Sequence, residues 1–267
     1  MSITANTMVS EEAFYRAAIT VCQNKRRQAG KPVTVQLQDF RAGRYGRVYR
    51  VQPNTGTPLA LKIIPNSNDD SECTFQRKAW SKACNLRLPD ETRGISIVKV
   101  PRVQDYYRFE AHESRAILMD FAFDTHVPAG VRLNATQLQA QHSRFAPTID
   151  DLLETMHITG TLLGLPYNRY TLMHDVLTAV QHFLPLMHLD LSTGNILVQG
   201  RSNGGVSPVI IDWGAAEDHH GFEGTPHAEY PECLHGNLAA RQNYHNMIIK
   251  LGQTMSVLLV VGSLSIH

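Results

Sequence analysis

Four segments of this chain carry side chains whose types and spacing could do chemistry. The first is His188-Leu189-Asp190-Leu191-Ser192-Thr193-Gly194-Asn195, running into the apolar stretch Ile196-Leu197-Val198. It sets an aspartate and an asparagine five positions apart in a loop between a helix and a strand. A carboxylate there could accept a proton from an attacking hydroxyl, and an amide carbonyl is a hard oxygen ligand suited to Mg²⁺. The second is Ile210-Ile211-Asp212-Trp213-Gly214. An acid at the end of a buried strand is costly unless it is paired or on a cation, and the glycine permits a sharp turn. A structural aspartate capping that turn would use the same residues. The third is Leu59-Ala60-Leu61-Lys62, an apolar strand ending in a lysine that must reach water or an anion such as a nucleotide phosphate. The fourth is Arg41-Ala42-Gly43-Arg44-Tyr45-Gly46-Arg47-Val48. Its two glycines would let backbone amides approach a phosphate, although an ordinary hairpin turn needs no more.

The elements that must position these residues follow from periodicity. Ala13, Phe14, Ala17, Ala18, Val21 and Cys22 recur at helical spacing within residues 10–30, and the basic run Lys25–Arg27 after them reads as a solvated face. From Val33 to Ile64 the pattern alternates, as strands do, with a hairpin signal at Pro53, Asn54 and Gly56. Asn66–Asp70 is placed to cap a helix through Phe75, Ala79, Trp80 and Ala83. Further strands are expected at Ile97–Val103 and Ala116–Phe121. Beyond Phe123 the chain becomes helical: one helix starts near Thr148 and Asp150 and runs through Leu152, Leu153 and Met156. Another covers Tyr170–Leu186, and a last one Tyr244–Val260. Two short strands, Asn195–Val198 and Val209–Ile211, flank a polar turn. The two halves meet near Phe121–Asp124.

Composition narrows the function classes. The chain has 267 residues, 43% of them apolar, enough to bury a sizeable core. A formal net charge of +1 makes no electrostatic case for nucleic acid or an anionic membrane. Cys22, Cys73, Cys84 and Cys233 form no CxxC pair, which argues against a zinc ribbon or a disulfide framework and suits a reducing, cytoplasmic compartment. The first residues lack the pattern of a secretory signal, and the apolar stretch Val257–Ile266 is too short to span a bilayer.

Taken in order, the glycine turn, the strand lysine, the Asp-x4-Asn loop, the short hairpin and the Asp-x-Gly resemble the signature set of the protein-kinase-like superfamily, from about Val35 to Gly262. The resemblance implies an α+β bilobal fold. Residues 1–32 would be an N-terminal helical extension. Residues 33–122 would be a small antiparallel-sheet lobe with the ATP-binding loop and hinge, and residues 123–267 a shortened helical lobe with the catalytic loop. ATP and Mg²⁺ would be the cofactors. Gly43 and Gly46 would cover the phosphates, Val48 and Ala60 would line the adenine site, and Lys62 would hold the α- and β-phosphates with Glu72 as its partner. Met119 would guard the back of the pocket, and Asp120–Ala122 would form the hinge. Asp190 would be the catalytic aspartate, Asn195 and Asp212 the metal ligands, and His188 a structural histidine. Gly224-Thr225-Pro226 with Tyr230-Pro231-Glu232 resembles the end of an activation segment, and Lys250–Met255 the buried helix after it.

Three departures bear on function. Leu189 stands where the family has an arginine that receives an activating phosphate. Ser192 stands where protein kinases have a lysine, and Trp213 replaces a phenylalanine. Family members usually continue with several more helices after the one near Val260, so the resemblance suggests a minimal kinase such as those of bacterial effectors or large viruses. An activating partner protein, and a location in a host cytoplasm or nucleus, would go with that likeness. The expected activity is transfer of phosphate to serine or threonine of a protein. Two alternatives stay open: a small-molecule phosphotransferase resembling aminoglycoside and choline kinases, and a pseudokinase acting as a binding module.

Overall fold

Phe14, Tyr15, Ala18, Ile19 and Cys22 lie on one stripe of helix α1 (Glu11–Gln28), and all five are buried. That stripe has one place to go: a sheet face of matching period. In the computed structural model the sheet is five-stranded, with strands β1 (Val33–Gly43), β2 (Gly46–Pro53), β3 (Leu59–Ile64), β4 (Val103–Phe109) and β5 (Ser114–Asp120). Its spatial order is β1-β2-β3-β5-β4, and every neighbour pair is antiparallel. Alternate residues Tyr49, Val51, Leu59, Leu61, Ile63, Ala116 and Leu118 form one core with the α1 stripe. The structure describes residues 11–43, 46–65, 69–86, 98–109, 114–123, 134–141, 144–152, 169–184, 186–200, 206–218, 246 and 249–253.

The basic run at the end of α1 is more than a solvated face. Arg26, whose side chain is 11% exposed, pairs with Asp105 on β4 at 3.6 Å. Lys25 lies over the Tyr107 ring, 5.3 Å from its centroid. Nearer the start of the helix, Arg47 of β2 stacks on Tyr15 at 4.3 Å and reaches Glu12 at 3.0 Å. The run thus moors the helix to the sheet.

Gly46 is required by packing. Its φ is +142°, and a Cβ there would sit 2.2 Å from the Ile63 carbonyl oxygen of β3. That oxygen belongs to backbone in a ladder and cannot swing away. Gly46→Ala is therefore expected to cost about 1–3 kcal/mol through strain and overlap. A urea-unfolding midpoint unchanged from the parent would contradict this.

The described chain divides into two compact units: residues up to Asp70 with Val103–Phe121, and Ser71–Arg102 with Ala122 onward. The second unit holds helix α2 (Ser71–Asn85), which follows directly on the sheet in sequence but belongs here by its contacts. It also holds α3 (Ala135–Gln141), α4 (Arg169–Phe183), and strands β6 (Leu186–Met187), β7 (Ile196–Gly200), β8 (Val206–Ile210) and β9 (Glu217–Asp218). Its core joins Ala79, Ala83, Val98, Ile149, Val176, Phe183, Ile196, Ile210 and Trp213, among others. Reciprocal side-chain bonds start α3 (Asn134 with Gln137, 2.9 and 3.0 Å) and the helical turn at 149–152 (Thr148 with Asp151, 2.7 and 3.1 Å).

Most expected elements recur, with one displaced. The strand expected at Ile97–Val103 is a single parallel bridge, Lys99 to Val209, and the true fourth strand is Val103–Phe109. Val98 and Val100 still point into the second core, which is why the stretch looks like a strand. Residues 246 and 249–253 are helical, within the expected last helix. The segments at 224–226 and 230–232, and the apolar stretch 257–266, lie outside the described residues. No helix among the described residues is long and apolar enough to cross a membrane.

Candidate functional site

Residues 186–218 are strung between two short ladders. β6 pairs with β9 (Leu186 with Asp218, Met187 with Glu217), and β7 pairs with β8 (Ile196 with Ile210 through Gly200 with Val206). Two connecting segments, 188–195 and 211–216, therefore run side by side between the ladders. One carries Asp190 and Asn195, the other Asp212. The Ile211 N–H donates to the Asn195 carbonyl at 3.0 Å, extending the hairpin by one rung. Residues five apart in one loop, and another seventeen positions later, thus meet through strand pairing.

Both segments hold a non-glycine residue in the left-handed region, Leu189 at φ +49° and Asp212 at φ +62°. Such conformations are uncommon for side-chain-bearing residues and cost about 1–3 kcal/mol each. At Leu189 the chain closes a three-residue turn, with the Asp190 N–H donating to the His188 carbonyl at 2.6 Å. The turn leaves the Asp190 side chain exposed. Asn195 fixes Asp190 from two directions: its Nδ2 donates to the Asp190 carbonyl at 2.8 Å and to Oδ2 at 3.3 Å. Both partners are acceptors, so the amide must present its NH₂ to them. Its Oδ1 is thereby left for another partner.

The loop is anchored from below. The Thr193 hydroxyl donates to Asp150, at the start of the helical turn 149–152. A Cβ on Gly194 would come within 3.0 Å of the other Asp150 oxygen. Sequence reasoning placed Asp150 only as a helix start. Its role as the loop's anchor leaves no local signal, because Thr193 is forty-three positions away.

His188 and Trp213 are the apolar floor. Trp213 is fully buried, edge-on to Phe183 (5.3 Å) and tilted against His188 (4.6 Å). His188 shares a 2.8 Å hydrogen bond with the Ile211 carbonyl through Nε2. The carbonyl can only accept, so Nε2 carries the proton. Nδ1 is buried and has no partner among the described residues. Burial pushes the His188 pKa down, against smaller opposing effects from the Ile211 carbonyl, Asp212 and Asp190. Its folded pKa then lies below the unfolded value near 6.5, so its contribution to stability is fully present above pH ~6.5 and is lost as pH falls toward the folded value. Between the two values stability should drop by about 1.4 kcal/mol per pH unit from this residue alone, and level off below the folded one. Urea midpoints from pH 8 to 5 check this against His188→Gln, which should show a shallower slope.

Glu72 is buried on α2, one helical stripe with Gln76, Ala79 and Ala83. Its carboxylate faces Gly214: a Cβ there would be 3.1 Å from Glu72 Oε2 and 3.6 Å from Asp212 Oδ1. Gly214 thus leaves room for the Glu72 and Asp212 carboxylates to approach one another. Among the described residues no group of three or more His, Cys, Asp or Glu could hold a metal alone. One carboxylate, Asp212, with the Asn195 carbonyl is nonetheless the sparse oxygen set that Mg²⁺ accepts when substrate phosphates supply further ligands.

In the first unit, register puts the other expected residues on one sheet face. Val48 pairs with Lys62, Ala60 with Met119, and Lys62 with Ile117. Side chains alternate along a strand, so Val48, Ala60, Lys62 and Met119 share the face opposite the α1 core. Lys62 is only 8% exposed, unlike a strand-end lysine snorkelling to water. Arg50, opposite Ala60, also lies on this face. It is buried, donates to Gln52 Oε1 at 2.8 Å, and its Nε has no partner among the described residues. Sequence reasoning passed over it as one arginine in an alternating strand. Gly43 stands opposite Gly46 at the end of the β1–β2 hairpin. Asp120 is exposed and accepts from Gln104 Nε2 at 2.7 Å. Ala122 belongs to the second unit, where its carbonyl accepts from the Ala146 N–H at 2.9 Å.

No protein-family model matches the chain, and no curated protein matches it. Among solved structures it is similar to the kinase PK-1 of Cydia pomonella granulovirus, at 13% identity and a TM-score of 0.46. The match covers 78% of this chain and 60% of that one, so the chain spans under two thirds of the viral kinase's length.

Proposed function

We propose that the chain is an ATP-dependent phosphotransferase of protein-kinase-like fold that phosphorylates serine or threonine of a protein. The observation that carries this reading is the pair of segments between the β6–β9 and β7–β8 ladders. It offers an exposed carboxylate (Asp190) steadied by an asparagine amide, and a second carboxylate (Asp212) on the adjacent strand end. In this reading Asp190 orients the acceptor hydroxyl and takes its proton. Asn195 Oδ1 and Asp212 hold Mg²⁺, which when bound neutralises phosphate charge. Lys62 binds the α- and β-phosphates. The Gly43–Gly46 hairpin covers the phosphates, Val48, Ala60 and Met119 pack against adenine, and Asp120–Ala122 meet its polar edge. Catalysis comes from positioning and electrostatic stabilisation.

A second reading, a small-molecule phosphotransferase, draws on Leu189, exposed Ser192 and buried Trp213, which stand where protein kinases keep arginine, lysine and phenylalanine. Radiolabelled ATP with Mg²⁺, offered a casein-like protein mixture and a panel of aminoglycosides and amino-alcohols, separates the two. Label in Ser or Thr of protein supports the first, and label in the small molecules the second. Mg²⁺-dependent nucleotide binding with transfer to neither would make the chain a binding module.

A further inference from the structure

Helix α2 and the segment 212–218 run alongside each other and approach closely at two places. At one, Glu72 faces Gly214. At the other, six helix positions on, Lys78 forms an ion pair with Asp218, the second residue of β9. The helix is well moored elsewhere in its own unit. Gln76 Nε2 donates to the Pro101 carbonyl at 2.9 Å, Lys82 Nζ to the Leu184 carbonyl at 3.2 Å, and His182 Nε2 meets the Lys82 carbonyl at 3.2 Å. β9 is the weaker partner: it is two residues long and has only two rungs with β6. So short a ladder has little intrinsic stability. The Asp218 side chain is only 11% exposed, so its carboxylate lies largely out of water beside the Lys78 ammonium. Lys78 is 37% exposed, so the pair sits at the edge of the unit rather than in its core.

We propose that the Lys78–Asp218 pair is a positioning device that holds β9 against α2 and thereby sets the Asp212–Gly214 turn beside Glu72. The inference rests on the phosphotransferase reading, because it gives that turn a metal to hold. Neither residue touches substrate; both act through Asp212. Its consequence is specific. Losing the pair loosens the turn that bears the metal-binding carboxylate, so the Mg²⁺ requirement should rise more than the protein's stability falls.

The test compares the full chain with Lys78→Met, Asp218→Asn and the charge swap Lys78→Asp/Asp218→Lys. The Mg²⁺ concentration for half-maximal ATP binding should rise about 10-fold in each single variant, in line with losses of supporting contacts around metal sites. The swap should recover it to within about 3-fold, which loss of packing alone would not allow. Amide exchange, which needs no activity, should quicken at residues 217–218 in both single variants and slow again in the swap. The inference is overturned if the single variants keep the parent's Mg²⁺ half-saturation and exchange. It is also overturned if the swap is no better than they are. Should the parent bind no nucleotide with Mg²⁺, the phosphotransferase reading falls. Exchange that still quickens in the single variants and is restored by the swap would then leave the pair as β9's anchor, while unchanged exchange would remove that as well.

Discussion

Asp190→Asn is expected to lower phosphoryl transfer by about 10³-fold while leaving Mg²⁺-dependent nucleotide affinity within a few-fold of the parent. The substitution preserves size, and its side-chain oxygen can still accept from Asn195 Nδ2, so the 2.8 Å bond from Asn195 to the residue 190 carbonyl should persist. What disappears is a carboxylate able to accept the acceptor's proton. The residue is exposed and lies beyond a strained turn at Leu189, which leaves it no structural duty of comparable weight. Single-turnover transfer paired with calorimetric nucleotide titration reads the two quantities separately. Transfer at the parental rate would remove Asp190 from the chemistry. Equal losses in binding and transfer would make it a binding group.

Much of this site could be read from residue types and order. Asp190, Asn195 and Asp212 are spaced so that a two-stranded hairpin between Asn195 and Asp212 must bring its ends together, and two short apolar runs flanking a polar turn announce that hairpin. Leu59–Ile64 was legible as a strand, and its alternation fixes that Lys62 faces away from Leu61 and Ile63. The α1 stripe was legible too, though its partner was not: helical period tells which face is buried and not what covers it. The same limit applies to α2. Phe75, Ala79, Trp80 and Ala83 announce the helix, but only tertiary contacts bury Glu72 and Gln76 on it and place it beside Gly214. β4 was missed because Val103–Phe109 mixes aromatic and charged residues, whereas Val98 and Val100 supplied the stronger apolar alternation just before it. Ties such as Lys78–Asp218 and Thr193–Asp150 span 140 and 43 positions, and no local pattern encodes them. Left-handed Leu189 runs against residue preference altogether, since leucine has no side-chain group to compensate there.

Asp212→Asn should cost about 10²–10³-fold in transfer, and unlike Asp190→Asn it should do so by raising the Mg²⁺ requirement for nucleotide binding. The choice of asparagine matters because residue 212 sits at φ +62°, a region asparagine tolerates about as well as aspartate. Alanine would add backbone strain and confuse loss of charge with loss of shape. With the backbone kept, the Trp213 side chain should remain edge-on to Phe183 and the Ile211–Asn195 rung intact, so stability should change little. The electrostatic consequence follows from the sparse ligand set. Asn195 contributes a neutral oxygen, so in this reading Asp212 supplies the negative charge that lets Mg²⁺ shed part of its hydration. Nucleotide titrations across a Mg²⁺ series should show the parent's affinity rising steeply with metal and the variant's rising little. If both curves coincide while transfer is intact, Asp212 is a structural turn residue and the metal lies elsewhere.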